Sequence, residues 1–119
     1  MRVVFAVVAF LAACAPAAAF EKKLDAATLR DLFRDIRLTS TETGRVVEQV
    51  IQSSGATFTV DIETSAQSQG FWRLEGDKYC SQWPPSQHWT CYDVFGNDDG
   101  IVFVSSTGTR YQMELPPAD

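Results

Sequence analysis

From Ser53 onward, clusters of turn-forming residues cut the chain at short intervals, and the segments between them alternate apolar and polar side chains as strands do. The clusters are Ser53-Ser54-Gly55, Ser65 to Gly70, Gly76-Asp77, Gly96-Asn97-Asp98-Asp99-Gly100 and Ser106-Thr107-Gly108. Thr57 to Thr64 is the clearest strand: Phe58, Val60 and Ile62 point one way, and Thr57, Thr59, Asp61 and Glu63 the other. Gly44 to Gln52 reads as a strand because Val46, Val47, Val50 and Ile51 are β-branched, although their spacing also suits a helix. Phe71–Glu75 and Lys78–Gln82 form a hairpin around Gly76-Asp77. His88–Phe95 and Ile101–Ser105 form a second, and Thr109–Leu115 is the last strand before Pro116-Pro117. Ahead of them, Asp25 caps a helix over Ala26–Leu38, with Leu29, Leu32, Phe33 and Ile36 on one stripe. The expected fold is mostly β (α+β): an N-terminal helix, then a small antiparallel meander barrel or sandwich of about seven strands.

Residues 1–19 read as an address rather than as structure. Arg2 precedes an uncharged apolar run from Val3 to Ala13, and Ala17-Ala18-Ala19 is a small-residue cleavage site, the layout of a secretory signal peptide. The run is shorter than the roughly 20 apolar residues that a membrane-spanning helix needs, so the protein is expected not to be transmembrane. A second processing route is open: Leu11-Ala12-Ala13-Cys14 resembles a lipobox, in which Cys14 would carry a lipid anchor. The expected organisation is a signal peptide over 1–19 and a single β-rich domain over 20–119. The expected location is the periplasm, as a soluble protein or as a lipoprotein held through Cys14.

Charge narrows the partners. Without residues 1–19 the chain keeps 9 Lys and Arg against 15 Asp and Glu. An acidic chain without a basic run is a poor fit to nucleic acid or anionic lipid, which both need positive surface charge. A single His makes a multi-His metal site impossible, and neither nucleotide-binding glycine motif occurs. No cofactor and no metal are expected.

Cys80 and Cys91 remain after cleavage at Ala19. An even pair in an oxidising compartment reads as a disulfide, closing a short loop through Pro84-Pro85. Neither C-x-x-C spacing nor an adjoining basic group suggests redox chemistry. The domain has 37 apolar residues by the usual count, a thin core that makes such a staple useful.

Gly70-Phe71-Trp72, Gly76-Asp77-Lys78-Tyr79-Cys80, Trp83 and Thr90-Cys91-Tyr92 resemble the core of small exported alphaproteobacterial proteins, which reads G-x-W, G-D-x-x-C, W and C-Y. The resemblance implies export and a β-rich fold, and no reaction. Ser105-Ser106-Thr107-Gly108-Thr109-Arg110-Tyr111 resembles the S-G-x-x-Y loop of periplasmic lysozyme inhibitors, although the basic motif that follows in that family is missing here.

Three features invite a chemical reading. Gly96–Gly100 resembles one calcium-binding nonapeptide, but a single copy cannot complete the oxygen shell, and a hairpin turn explains the same residues. His88 with Asp93 could form an acid–base pair, but no nucleophile frame accompanies them. The third feature is the aromatic cluster. Trp72, Trp83 and Trp89 lie within eighteen residues, with Tyr79, Tyr92 and Phe95 among or beside them. Trp72 reads as core. Trp83 and Trp89 flank a Pro-containing loop inside the disulfide ring, where Gln82, Gln87 and His88 add donors and acceptors without a fixed charge. These five residues form the expected binding surface for an envelope ligand or protein partner. The expected role is non-catalytic binding, with hydrolase inhibition as the alternative and enzyme activity as the least favoured class.

Overall fold

The computed structural model describes residues 21–40 and 44–117. The leader-like segment 1–19 and the lipobox Cys14 lie outside the described residues. Nine strands and one helix follow in order: β1 (Lys22–Lys23), α1 (Ala26–Leu32), β2 (Ile36–Ser40), β3 (Val47–Ile51), β4 (Ala56–Asp61), β5 (Gln67–Glu75), β6 (Lys78–Gln82), β7 (Trp89–Asn97), β8 (Gly100–Ser105) and β9 (Arg110–Met113).

β2 to β9 form one antiparallel meander in chain order. The two end strands then meet: Thr39 N–H donates to the Glu114 carbonyl (3.1 Å), and Glu114 N–H donates to the Thr39 carbonyl (2.8 Å). The result is a nearly closed barrel of eight strands, and the barrel-or-sandwich alternative resolves in favour of the barrel. β1 adds to β7 beyond the point where β6 has turned away, pairing Lys22 with Gly96 and Lys23 with Phe95.

The helix is shorter than its apolar stripe suggests. Asp25 caps it as expected, its carboxylate accepting the Thr28 N–H at 2.9 Å, a bond that holds the carboxyl below its usual pKa. It ends at Leu32, Phe33 acts as its C-cap, and Asp35 takes a left-handed conformation (φ 59°). Ile36–Ser40 then runs as a strand. Ile36 packs against the core either way, because position i+7 of the helical stripe is also an inward position of β2. Leu29 and Phe33 are fully buried and plug one end of the barrel against Leu38, Ile51, Val94 and Ile101.

Strand alternation assigns the two faces of the sheet. Tyr79 and Ser81 of β6 face inward, as do Tyr92 and Val94 of β7 and Ile101 and Phe103 of β8. On β4 the polar set faces inward: Thr57 is fully buried, whereas Phe58 and Val60 lie half-buried on the outer face and Ile62 is exposed. Cys80 and Cys91 are directly opposed on β6 and β7, their Cα atoms 4.0 Å apart, and form the expected disulfide on the outer face.

Candidate functional site

The end of the barrel opposite α1 is open. The strands bring side chains from β2, β3, β4, β6, β7, β8 and β9 around one cavity of about 340 Å³. Ser40, Val47, Gln49, Thr59, Tyr79, Ser81, Trp83, Tyr92, Phe103, Tyr111 and Met113 line it, and none of them carries a charge at neutral pH. An eight-stranded barrel has an interior wide enough to be filled by side chains or to hold one small ligand. Here α1 fills one half and leaves the other free.

Tyr79 forms the floor between the halves. Its ring meets Phe33 edge-on at 5.3 Å, stacks with Trp72 at 6.0 Å and tilts against Phe103 at 5.1 Å. Burial pushes its phenol up to about 12, so the hydroxyl stays neutral and available as a hydrogen-bonding group. Gln49 Nε2 donates to this hydroxyl at 3.1 Å and to Thr57 Oγ1 at 3.2 Å, and Thr57 in turn donates to the Val50 carbonyl at 2.9 Å. On the far wall Tyr92 stands edge-on to Phe103 and to Tyr111, both at 6.0 Å. Burial raises the pKa of Tyr92 too, with the neighbouring Tyr111 phenol adding to the effect.

The five residues expected to form a binding surface are split between the two faces of the sheet. Trp83 turns inward and lines the cavity, its Nε1 donating to Ser81 Oγ at 3.2 Å. Its ring sits against Gly70, where a Cβ would lie 2.8 Å from the indole and 2.5 Å from the Gln82 carbonyl. Trp89 is on the outer face, half-buried, with the Arg73 guanidinium 4.0 Å from its ring centroid. That contact bridges β5 and β7 across β6, where Cys80 is fully buried. Gln82 pairs with Trp89 on the same outer face, and its amide donates to the Gln87 carbonyl at 2.9 Å. His88 is exposed at the rim, its N–H donating to Ser86 Oγ. Asp93 lies on the outer face with Lys78 and Lys23, whose ammonium groups hold its carboxyl below the usual range.

Sequence reasoning missed Gln49, Tyr111, Phe103 and Thr59 as cavity residues. Their alternation was visible, but which face would be the inside was not. The Gly96–Gly100 segment is a hairpin turn: Asn97 Oδ1 accepts the Asp99 N–H, and Gly100 (φ 134°) passes so close to the Met113 carbonyl that no Cβ fits. The Ser105–Thr109 segment is likewise a turn, closed by its own hydroxyls. Among the described residues Glu75, Cys80 and Cys91 cluster in the manner of metal ligands, but both sulfurs are consumed by the disulfide. Two other hollows, of about 330 and 380 Å³, lie beside α1 and β1, with charged rims formed by Arg30, Asp31 and Arg34 and by Glu21, Lys22 and Asp98. Neither gathers aromatic rings around neutral polar groups as the barrel mouth does. No helix among the described residues is long and apolar enough to cross a membrane. Comparison with protein-family models, curated proteins and solved structures finds no match.

Proposed function

We propose that this is an exported, non-catalytic binding protein that holds one small uncharged molecule in the open mouth of its barrel. The observation that carries this reading is the composition of the cavity wall: five aromatic rings, two apolar side chains and four neutral polar ones. A concave, largely apolar pocket with a few convergent polar groups is the usual form of a small-molecule site. The wall offers no imidazole, carboxylate, amine or thiol, which supports binding rather than proton transfer or nucleophilic attack. Export rests on the leader-like residues 1–19, and the staple between Cys80 and Cys91 suits an oxidising compartment.

Binding is tested with N-phenyl-1-naphthylamine, an uncharged probe that fluoresces when it leaves water. Its signal should saturate at one site per chain. Thr59→Trp, which places a ring in the mouth, should abolish it, whereas His88→Ala on the rim should leave it unchanged. A wild-type protein without saturable signal, or a Thr59→Trp variant that binds equally well, overturns the reading. Export is tested by mass spectrometry of the protein recovered from cells. The mature chain should begin at Phe20, and a diacylglyceryl group on Cys14 would assign it to the lipoprotein route instead.

A further inference from the structure

The hydrogen bonds around Gln49 fix which end of its amide faces the cavity. The Val50 carbonyl can only accept, so the single Thr57 hydroxyl hydrogen is committed to it at 2.9 Å. Thr57 Oγ1 therefore presents lone pairs to Gln49, and the group it meets there must be the amide nitrogen. Both Nε2 hydrogens are then used, one on Thr57 and one on the Tyr79 hydroxyl. Gln49 Oε1 takes no hydrogen bond from the described residues. Yet no fully buried side-chain oxygen or nitrogen among them lacks a partner, so Oε1 is not sealed in the protein. Since Gln49 is half-buried and lines the cavity, the open space its carbonyl meets is the cavity itself.

We infer that Gln49 Oε1 is the orienting acceptor of the site, and that the ligand is a small, uncharged, planar ring compound carrying an O–H or N–H donor. This rests on the proposed function and names the ligand class of the same cavity. The rings of Tyr79, Trp83, Tyr92, Phe103 and Tyr111 supply the surface against which a planar molecule packs. With no cation in the wall, a carboxylate or phosphate would lose its hydration without compensation. At about 340 Å³ the mouth has room for a compound of one or two fused rings. The donor preference follows from the asymmetry of buried hydrogen bonding. A ligand without a donor strips water from Oε1 and replaces it with nothing.

Three naphthalenes that differ in one substituent test this by calorimetry on the mature protein: 2-naphthol, 2-methoxynaphthalene and 2-naphthoate. Wild type should bind 2-naphthol roughly three- to tenfold more tightly than 2-methoxynaphthalene, the range expected for one hydrogen bond. It should bind 2-naphthoate more weakly than either. Gln49→Met keeps the length of the side chain and removes the acceptor. It should bring 2-naphthol down to the affinity of 2-methoxynaphthalene while leaving the latter within about twofold, because the bond to Oε1 is the one polar contact with the ligand that the variant removes. Should that variant fail to fold, the Gln49 side-chain amide resonance of the wild type gives the same answer: it should shift further with 2-naphthol than with 2-methoxynaphthalene, whose rings act on it without a hydrogen bond. Equal affinities for these two, or a donor preference that survives Gln49→Met, overturns the inference and leaves the cavity as a binding site. If none of the three binds, the proposed function fails with it.

Discussion

At Tyr79 the plugged half of the barrel meets its open half, and two predictions belong to single residues there. The Tyr79 phenol is pushed up to about 12 by burial, whereas an unfolded chain titrates near 10. Between those values the unfolded state binds fewer protons than the folded one, so stability falls as pH rises through this window. The loss is on the order of 2–3 kcal/mol, by the conversion of about 1.4 kcal/mol per unit. Tyr79→Phe removes the proton, so the fall in melting temperature between pH 10 and 12 should be shallower in the variant than in wild type. The second residue is Gly70. A methyl group there would meet the Gln82 carbonyl and the Trp83 ring below 3 Å, and the first of these is backbone that cannot rotate away. Gly70→Ala should cost about 1–3 kcal/mol as an overpacked site. It should also redden Trp83 emission as the indole leaves its seat. An unchanged melting temperature and spectrum would mean that the Trp83 ring is not held against the strand.

Elements show how far patterning alone reaches. The meander, both hairpins, the helix cap and the disulfide were all legible, because alternation, turn residues and a cysteine pair are local signals. The end of α1 was not. Ile36 suits a helix stripe and an inward strand face equally, and the break depends on Asp35 entering a left-handed conformation. The start of β5 was read as a loop because Gln67, Ser68 and Gln69 are exposed and carry no apolar alternation; their pairing with β4 is a backbone matter. β1 has the same character: Lys22 and Lys23 are strand only because β7 outruns β6 and leaves an unpaired edge. The site was half legible. Trp83 could be picked out as a candidate, but its separation from Trp89 depends on the register that sets Trp89 opposite Gln82, one residue out of phase with the inward Ser81 and Trp83. At this scale the disulfide joins strands that are already paired, so it acts on the unfolded chain. Closing a loop of this length stabilises by up to about 3 kcal/mol. At roughly 4–8 °C per kcal/mol, reduction should lower the melting temperature by several degrees. Free thiols titrated in the folded, exported protein would remove that argument. The plug should matter as much: Phe33→Ala, at a fully buried ring touching Trp72, Tyr79 and Phe103, should cost about 3–5 kcal/mol.

On the scale of the whole molecule the barrel has one weak seam. Neighbouring strands elsewhere in the meander share four to six residue pairs, but β2 and β9 share the bridge at Thr39 and Glu114. Pro116 and Pro117 cannot extend it, since neither has an N–H to donate. Local opening is set by how few interactions must break, so the cheapest excursion of this fold is a parting of β2 from β9. The seam also borders the proposed site. Ser40 follows Thr39, Met113 precedes Glu114, and both line the cavity from opposite sides of the seam. A ligand that packs against both holds the edges together and is itself released when they separate. Binding to the closed barrel alone must then stabilise it by the linkage relation, about 2.7 kcal/mol at a hundredfold excess over Kd. Amide hydrogen exchange should therefore find Thr39 and Glu114 less protected than the paired amides of β6 and β7 in the free protein. With 2-naphthol present, the seam amides should slow by up to about a hundredfold at that excess, in proportion to occupancy. Those near the disulfide should slow in parallel where they exchange through global unfolding, because the unfolded chain has no cavity to hold the ligand. Exchange at the seam that ignores a bound naphthol would mean that the mouth fills and empties through its open end, without the strands parting.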